Sequence, residues 1–397
     1  MHDFHPVEIL LAAAGLIAVA ACGVWLLRKA RLRRRARRRA DPANDYAVRT
    51  DWERSTGTVN YSSFVYFDVD RDGRYGVGDR PMAGIMVRLF DGQGGVVAAT
   101  RTNNGGFANF AMSTSSANAM IRSPGAYRFA VSVPPGWSSP SANETQSQDF
   151  RLAPGSPAGL VSQNLPQPVG LAPARSLAGR MASGGSVTLS VMANGHVLES
   201  LVLAPDSPFR LDLAGRADTV AIAGGGLDRQ LALSPYPTDL GLLSPQTLPS
   251  ETSLRTIGFD DVTGRGFRKI PCGHAGLQWR NLNAMAQDHT KGSEGYVNGN
   301  VSGDHVAYTS SGYPAEFSRE TPFGFHSVLL SAAWLKSEGE MALIECWLGE
   351  QLVASNQLVL SALTPLHYAP MLKEVTRVRL STKHYWQMVL DDLMLTG

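Results

Sequence analysis

Beyond residue 40 no long stretch of the chain repeats apolar residues at helical spacing. Apolar positions instead come in short runs bounded by Gly, Pro, Asn and Asp. Ser186-Val187-Thr188-Leu189-Ser190-Val191 alternates strictly, Asn194-Gly195 follows, and Val197-Leu198 and Leu201-Val202-Leu203 resume the apolar pattern. Asn-Gly between two such runs is a strong hairpin signal, because both residues accept the positive φ of a tight turn. Phe209–Leu213 and Val220–Ile222 extend the series. Closer to the end, residues 327–334, 341–348, 352–359, 375–380 and 388–395 are strand-like and evenly spaced, with Gly-rich turns between them. This is the pattern of a sandwich or jelly roll. The chain is therefore expected to be mainly β, with domains over 57–155, 175–245 and 252–397. A Ser-, Pro-, Gly- and Ala-rich connection covers 138–174.

The N-terminus breaks this pattern. Ile9 to Leu27 is 19 uncharged, almost wholly apolar residues, long enough for a bilayer-spanning helix, predicted over 7–27. A basic juxtamembrane segment and polar linker occupy 28–56, and RKARLRRRARRR at 28–39 holds nine basic residues and no acid. A signal peptide would carry its basic residues before the apolar core, not after it, so a retained single-pass anchor is the reading. The remaining 27 Lys and Arg face 34 Asp and Glu, about −7 net, which argues against nucleic acid as a partner of the β domains.

The concentrated chemistry lies in FVYFDVDRDGRYGVGDRPMAGIMVRLF at 64–90. Asp68, Asp70 and Asp72 take positions 1, 3 and 5 of a loop, Gly73 position 6, Arg74 position 7 and Asp79 position 12. That is the register of a calcium loop, with four carboxylates and the Arg74 carbonyl as ligands. Its flanks, Phe64-Val65-Tyr66-Phe67 and Ile85–Phe90, are β-branched and aromatic, so the loop joins strands rather than the helices of an EF-hand. Position 12 is Asp rather than the longer, bidentate Glu.

With Met82-Ala83-Gly84-Ile85, the turn Thr100–Phe107 and the closing run Tyr127–Trp137, this stretch resembles the B-type repeat of staphylococcal serine-aspartate surface proteins and the wider prealbumin-like, Cna-B-like group. The resemblance covers roughly 57–155. It implies a calcium-binding, Ig/prealbumin-like β-sandwich working outside the cell, and 175–245 reads as a second small sandwich, a spacer without a chemical site. A different resemblance covers 252–397. Phe259-Asp260-Asp261, Gly276-Leu277-Gln278-Trp279, Gly295-Tyr296 through Ser302-Gly303, Ala332-Ala333-Trp334 and a terminal Asp391-Asp392 follow the order of the jelly-roll, carbohydrate-binding-like domain of bacterial surface and exported proteins. In a jelly roll the first and last strands can be neighbours, which makes Asp260, Asp261, Asp391 and Asp392 a second candidate metal set. Trp279, Tyr296 and Trp334 are candidate sugar platforms, with burial in a β core as the competing fate.

No zincin, nucleophile-elbow, P-loop or paired-Cys zinc motif occurs, and the histidines lack ligand spacing. Cys272 and Cys346 are either a disulfide or two free thiols. The expectation is a non-enzymatic, membrane-anchored, calcium-stabilised surface binding, adhesion or scaffold protein, with polysaccharide or a surface protein as partner. The rivals are a glycan hydrolase or lyase sited in 252–397 and a cytoplasm-facing scaffold or sensor. Orientation stays open, since the resemblance places the β domains outside and the basic run, by the positive-inside rule, places them in the cytoplasm.

Overall fold

The structure is a computed structural model that describes residues 59–182, 184–244, 254–290, 294–310 and 313–397. The expected membrane helix at 7–27 and the segment 28–56 lie outside the described residues. Among the described residues no helix is long and apolar enough to cross a membrane. The fold is mainly β.

The first ten strands are β1 (Val59–Phe67), β2 (Arg80–Pro81), β3 (Met86–Phe90), β4 (Val96–Arg101), β5 (Phe107–Met112), β6 (Gly125–Val131), β7 (Trp137–Ser138), β8 (Thr145–Leu152), β9 (Leu160–Ser162) and β10 (Val169–Pro173). One sheet runs β2-β1-β10-β7 with β5 also on β1, and the other runs β4-β3-β6-β8-β9. Alternation along β1, β3, β5 and β6 turns Val65, Phe67, Val87, Leu89, Phe110 and Phe129 into a shared core. β10 closes this sandwich as a parallel partner of β1, with Val65 opposite Val169 and Phe67 opposite Leu171.

The next seven are β11 (Ser176–Met181), β12 (Val187–Ala193), β13 (His196–Leu203), β14 (Pro208–Asp212), β15 (Thr219–Gly224), β16 (Leu227–Ala232) and β17 (Thr238–Leu243). Asn194 (φ 49°) and Gly195 (φ 78°) form the two-residue turn between β12 and β13. The sheet β13-β12-β15-β16 packs its Val187, Leu189, Val220 and Ile222 against Leu177, Leu240 and Leu243 of β11 and β17.

The remainder holds β18 (Arg255–Ile257), β19 (Phe267–Lys269), β20 (Gln278–Arg280), β21 (Leu282–Ala286), α1 (Glu294–Asn298), β22 (His305–Thr309), β23 (Ala315–Ala332), β24 (Met341–Leu348), β25 (Gln351–Val359), β26 (Leu366–Tyr368), β27 (Leu372–Thr382) and β28 (Met388–Thr396). The 18-residue β23 changes partners along its length within one large sheet. Its first half pairs β20 and β27, which continues to β24 and β25. Its second half pairs β26 and β28, which continues to β22, β21 and β19. Register shifts between Ser318 and Phe325 mark where the strand bends and its pairing changes. Phe259, Trp279, Phe317, Phe325, Ile344 and Leu390 fill the space between.

Residues 57–397 form one compact unit. β17 pairs in parallel with β26, Thr238 opposite His367, so a sheet of the middle region runs on into the last.

Candidate functional site

The loop between β1 and β2 gathers Asp68, Asp70 and Asp79, with one carboxylate oxygen of each within 4.8 Å of the others. Backbone donors shape it. Gly73 N–H donates to Asp68 Oδ2 (3.0 Å), Asp72 N–H to Asp70 Oδ1 (3.2 Å), and Val69 and Gly76 N–H to the two oxygens of Asp79 (2.9 and 2.8 Å). Gly73 has φ 77°, and a Cβ there would lie 2.8 Å from the Pro140 carbonyl oxygen, so both conformation and space require glycine. Tyr75 closes edge-on against Phe64 and Tyr66 and fastens the loop to β1.

Asp68 is 1% exposed, yet its Oδ1 has no hydrogen-bond partner. An unsatisfied buried carboxylate oxygen is costly. Burial, reinforced by the Asp79 carboxylate and opposed by the Gly73 N–H, pushes the Asp68 carboxyl above the usual range. Gly170 of β10 makes the close approach possible, because a Cβ there would stand 2.7 Å from Tyr66 Oη and 3.1 Å from Asp68 Oδ2. A hard cation coordinated by oxygen fits this donor set. Asp72 stands outside the three-carboxylate group and accepts Arg74 N–H instead (2.7 Å).

The other four aspartates do different work. Asp391 is buried, and its Oδ2 accepts from Val301 N–H (2.6 Å) and Ser302 N–H (3.1 Å), its Oδ1 from Asp392 N–H (2.8 Å). Asp392 accepts from the Ser302 hydroxyl. Asp260 Oδ1 accepts from Asp304 N–H (2.6 Å) and faces His305 Nδ1 (3.1 Å). Asp261 lies 3.8 Å from His274 Nδ1. Asp260 and Asp391 thus hold the loop 301–305 from both ends through its backbone N–H groups, Asp392 takes the Ser302 hydroxyl, and Asp261 faces His274 instead. Among the described residues they do not gather as a metal-ligating group.

The expected sugar platforms are largely interior. Trp279 and Tyr296 are 6% and 2% exposed, which leaves no ring face for a sugar. Trp279 Nε1–H donates to His274 O (2.9 Å) and Tyr296 Oη–H to Gln387 Oε1 (2.6 Å). Trp334 is half-buried between Tyr296 and Trp386. Cys272 is exposed and Cys346 buried, both as free thiols, so the disulfide alternative does not form.

Sequence reasoning missed an open groove of about 940 Å³ over the outward face of β20, β23, β27 and β24. Strand register sets its floor, to which Arg280, Glu316, Trp347, Arg377 and Arg379 contribute. One row crosses the strands as Arg280, Glu316, Arg379, Glu345, and the next as Gln278, Ser318, Arg377, Trp347. Their sequence neighbours Trp279, Phe317, Val378 and Cys346 point inward to the core. The Arg377 guanidinium lies over the Trp347 ring, 4.9 Å from its centroid. Tyr313, 66% exposed, stands at the rim, its ring 6.5 Å from that of exposed Tyr385. The visible signal was the alternation Arg377-Val378-Arg379-Leu380, which puts two cations on one face of a strand.

No protein-family model and no curated protein matches the chain. Among solved structures it is similar to the Bacillus anthracis TIE protein, at 11% identity and TM-score 0.22, over 47% of this chain and 33% of that one. It is similar to the tandem CBM22-1-CBM22-2 domain of Paenibacillus barcinonensis Xyn10C, at 10% identity and TM-score 0.23, over 66% and 93%. It is also similar to the major pilin of Streptococcus pyogenes, at 8% identity and TM-score 0.18, over 78% and 96%. The chain spans about a third of the length of the TIE protein. At these TM-scores the likenesses carry no functional argument.

Proposed function

We propose that this chain is a non-catalytic binding protein. Its C-terminal jelly-roll sandwich holds a polysaccharide in the groove over β20, β23, β27 and β24. A calcium ion at Asp68, Asp70 and Asp79 stiffens the prealbumin-like sandwich on which the rest is mounted. The apolar run at 9–27 anchors the assembly at a membrane.

The observation that carries this reading is the groove. It is open to solvent, floored by polar side chains in fixed register, and edged by the exposed ring of Tyr313, with the exposed ring of Tyr385 6.5 Å from it. An open groove with hydrogen-bonding groups on its floor and an aromatic rim suits a chain of hydroxylated rings, since pyranose faces stack on aromatic faces while the hydroxyls meet polar groups.

The calcium assignment rests on the orphaned Asp68 Oδ1 and the two carboxylates beside it. Asp72 and the Arg74 carbonyl, expected as ligands, are not needed for the three-carboxylate set. Water and further backbone oxygens would complete the six to eight oxygens that calcium takes.

Binding of the full chain to a panel of soluble glycans by affinity electrophoresis and calorimetry tests the proposal. Retardation by at least one polysaccharide, weakened by Tyr313→Ala, is expected. Tyr313 is exposed enough for the substitution to spare the fold. Chemical turnover of the bound glycan, or no binding to any of the panel, would overturn it.

A further inference from the structure

We infer that the groove selects a polyanionic glycan, one bearing carboxylate or sulfate groups, an inference that rests on the glycan-binding reading above. Lys269, Arg280, Arg377 and Arg379 line the groove, against Glu316 and Glu350. Among the described residues none of these four cations lies within 4.0 Å of a carboxylate. That is unexpected from register alone. Arg379 sits across from Glu316 on one side and Glu345 on the other, and Arg280 sits across from Glu316. A merely solvated sheet face would let such neighbours close into pairs. Here the guanidinium groups stay open.

Outside the basic run at 28–39 the chain is about −7 net, so a cation-rich trough is a local exception. Like charges lining one concavity repel each other and focus a positive potential into it. An incoming anion relieves that repulsion. Arg377 is also preorganised, because the Trp347 ring beneath it holds the guanidinium by cation–π contact and leaves its N–H groups without a carboxylate partner. Planar guanidinium forks match carboxylate and sulfate oxygens in paired, charge-assisted hydrogen bonds. The exposed Tyr313 ring at the rim supplies the sugar-facing surface that a bare anion would not use.

Matched polymer pairs test this with the full chain. They are polygalacturonate against its carboxyl-reduced neutral product, and dextran sulfate against dextran. Tighter binding of the acidic member by about tenfold or more is expected, equivalent to a single good charge-assisted contact. The affinity should fall steeply between 0.05 and 0.5 M NaCl, at salt concentrations of about these values, as the charges are screened. Which acidic polymer binds tells carboxylate from sulfate. The double variant Arg377→Ala/Arg379→Ala should remove the preference, and Glu316→Gln should strengthen acidic binding a few-fold by removing a repelling charge. Thermal melting of each variant checks that it folds. Equal binding of acidic and neutral members would overturn the inference and leave glycan binding standing, whereas no binding to any polymer would overturn both. Acidic preference undiminished in the double arginine variant would place the site elsewhere, at the basic run 28–39, and overturn it too. Tighter binding of single-stranded DNA than of any glycan would do the same.

Discussion

Asn298 and Ala83, 215 residues apart, exchange two hydrogen bonds. The Ala83 N–H donates to Asn298 Oδ1 (3.0 Å), and Asn298 Nδ2–H donates to the Ala83 carbonyl (3.1 Å). The same Nδ2 donates to Ala362 O (2.9 Å). Beside this clasp the Arg80 guanidinium reaches Asn300 O and Tyr236 Oη, and lies over the rings of Phe67 and Tyr236. Groups from the first sandwich, the middle region and the C-terminal region thus meet at one point, and Arg80 directly follows Asp79.

Breaking this clasp should loosen the whole unit rather than one part of it. Asn298→Ala leaves two buried carbonyls and one N–H without partners, at a cost of roughly 2–4 kcal/mol. Asn298→Asp can still accept from Ala83 N–H but cannot donate, and should be at least as damaging. Urea unfolding with two probes, tryptophan fluorescence and limited proteolysis, checks this. A loss below about 0.5 kcal/mol in both variants would contradict it.

Calcium should raise the melting temperature of the wild-type chain, and Asp70→Ala should abolish the rise while melting like the wild type in EDTA. At one hundred times its dissociation constant the ion contributes about 2.7 kcal/mol. Calorimetry with calcium, magnesium and EDTA reads this directly. An identical wild-type transition in all three would rule out the metal site.

Gly170→Ala should silence the calcium response from a position no ligand occupies. The new methyl group would press on Tyr66 Oη and Asp68 Oδ2, costing about 1–3 kcal/mol and displacing the buried ligand. A normal calcium-induced rise in this variant would show that the loop does not depend on β10.

Stability should fall as pH rises from about 4 through 7, by an amount that Asp391 controls. Burial, together with the Asp392 carboxylate, pushes Asp391 up to about 7, against the pull of the Val301, Ser302 and Asp392 N–H groups. A carboxyl whose pKa is higher folded than unfolded holds more protons in the native state, so stability decreases with pH between the two values. The quantity to measure is the wild type minus Asp391→Asn difference in unfolding free energy across pH 4–8, at values spanning about this range. A flat difference would show that Asp391 titrates alike folded and unfolded.

Iodoacetamide should modify Cys272 in the native protein and leave Cys346 untouched until unfolding. Cys272 is exposed, while burial pushes the Cys346 thiol well above its ordinary range. Peptide mass spectrometry of the labelled chain distinguishes them.

Part of the local geometry of this chain could be read from its residues alone. The Asn194-Gly195 turn needed only the left-handed conformations those two residues tolerate. The spacing of the loop at 68–79 was legible because the N–H groups that orient its carboxylates lie within ten residues of them, whereas its seat against Pro140 and Gly170 was not. Period-two alternation marked many of the strands, since it is a property of each strand by itself, but it missed β8, β9 and β10, which lie inside the Ser-, Pro-, Gly- and Ala-rich stretch 138–174 expected to be only a connection. Alternation does not say which apolar face meets a core and which ring stays outside. Trp279 and Tyr296 were therefore candidates for a sugar surface, with burial the commoner fate, until the sheets closed over them. The order of Asp260, the loop 301–305 and Asp391 was visible, but its purpose was not, because the carboxylates act on backbone N–H groups up to 90 residues away. The groove lay further still from view. Its floor is assembled from β20, β23, β24 and β27, and only cross-strand register brings Arg280, Glu316, Arg379 and Glu345 into one row. Sequence determined which residues could turn, alternate or bind an ion locally. Tertiary structure decided which of them share a surface, because that depends on pairings between strands that no local pattern encodes.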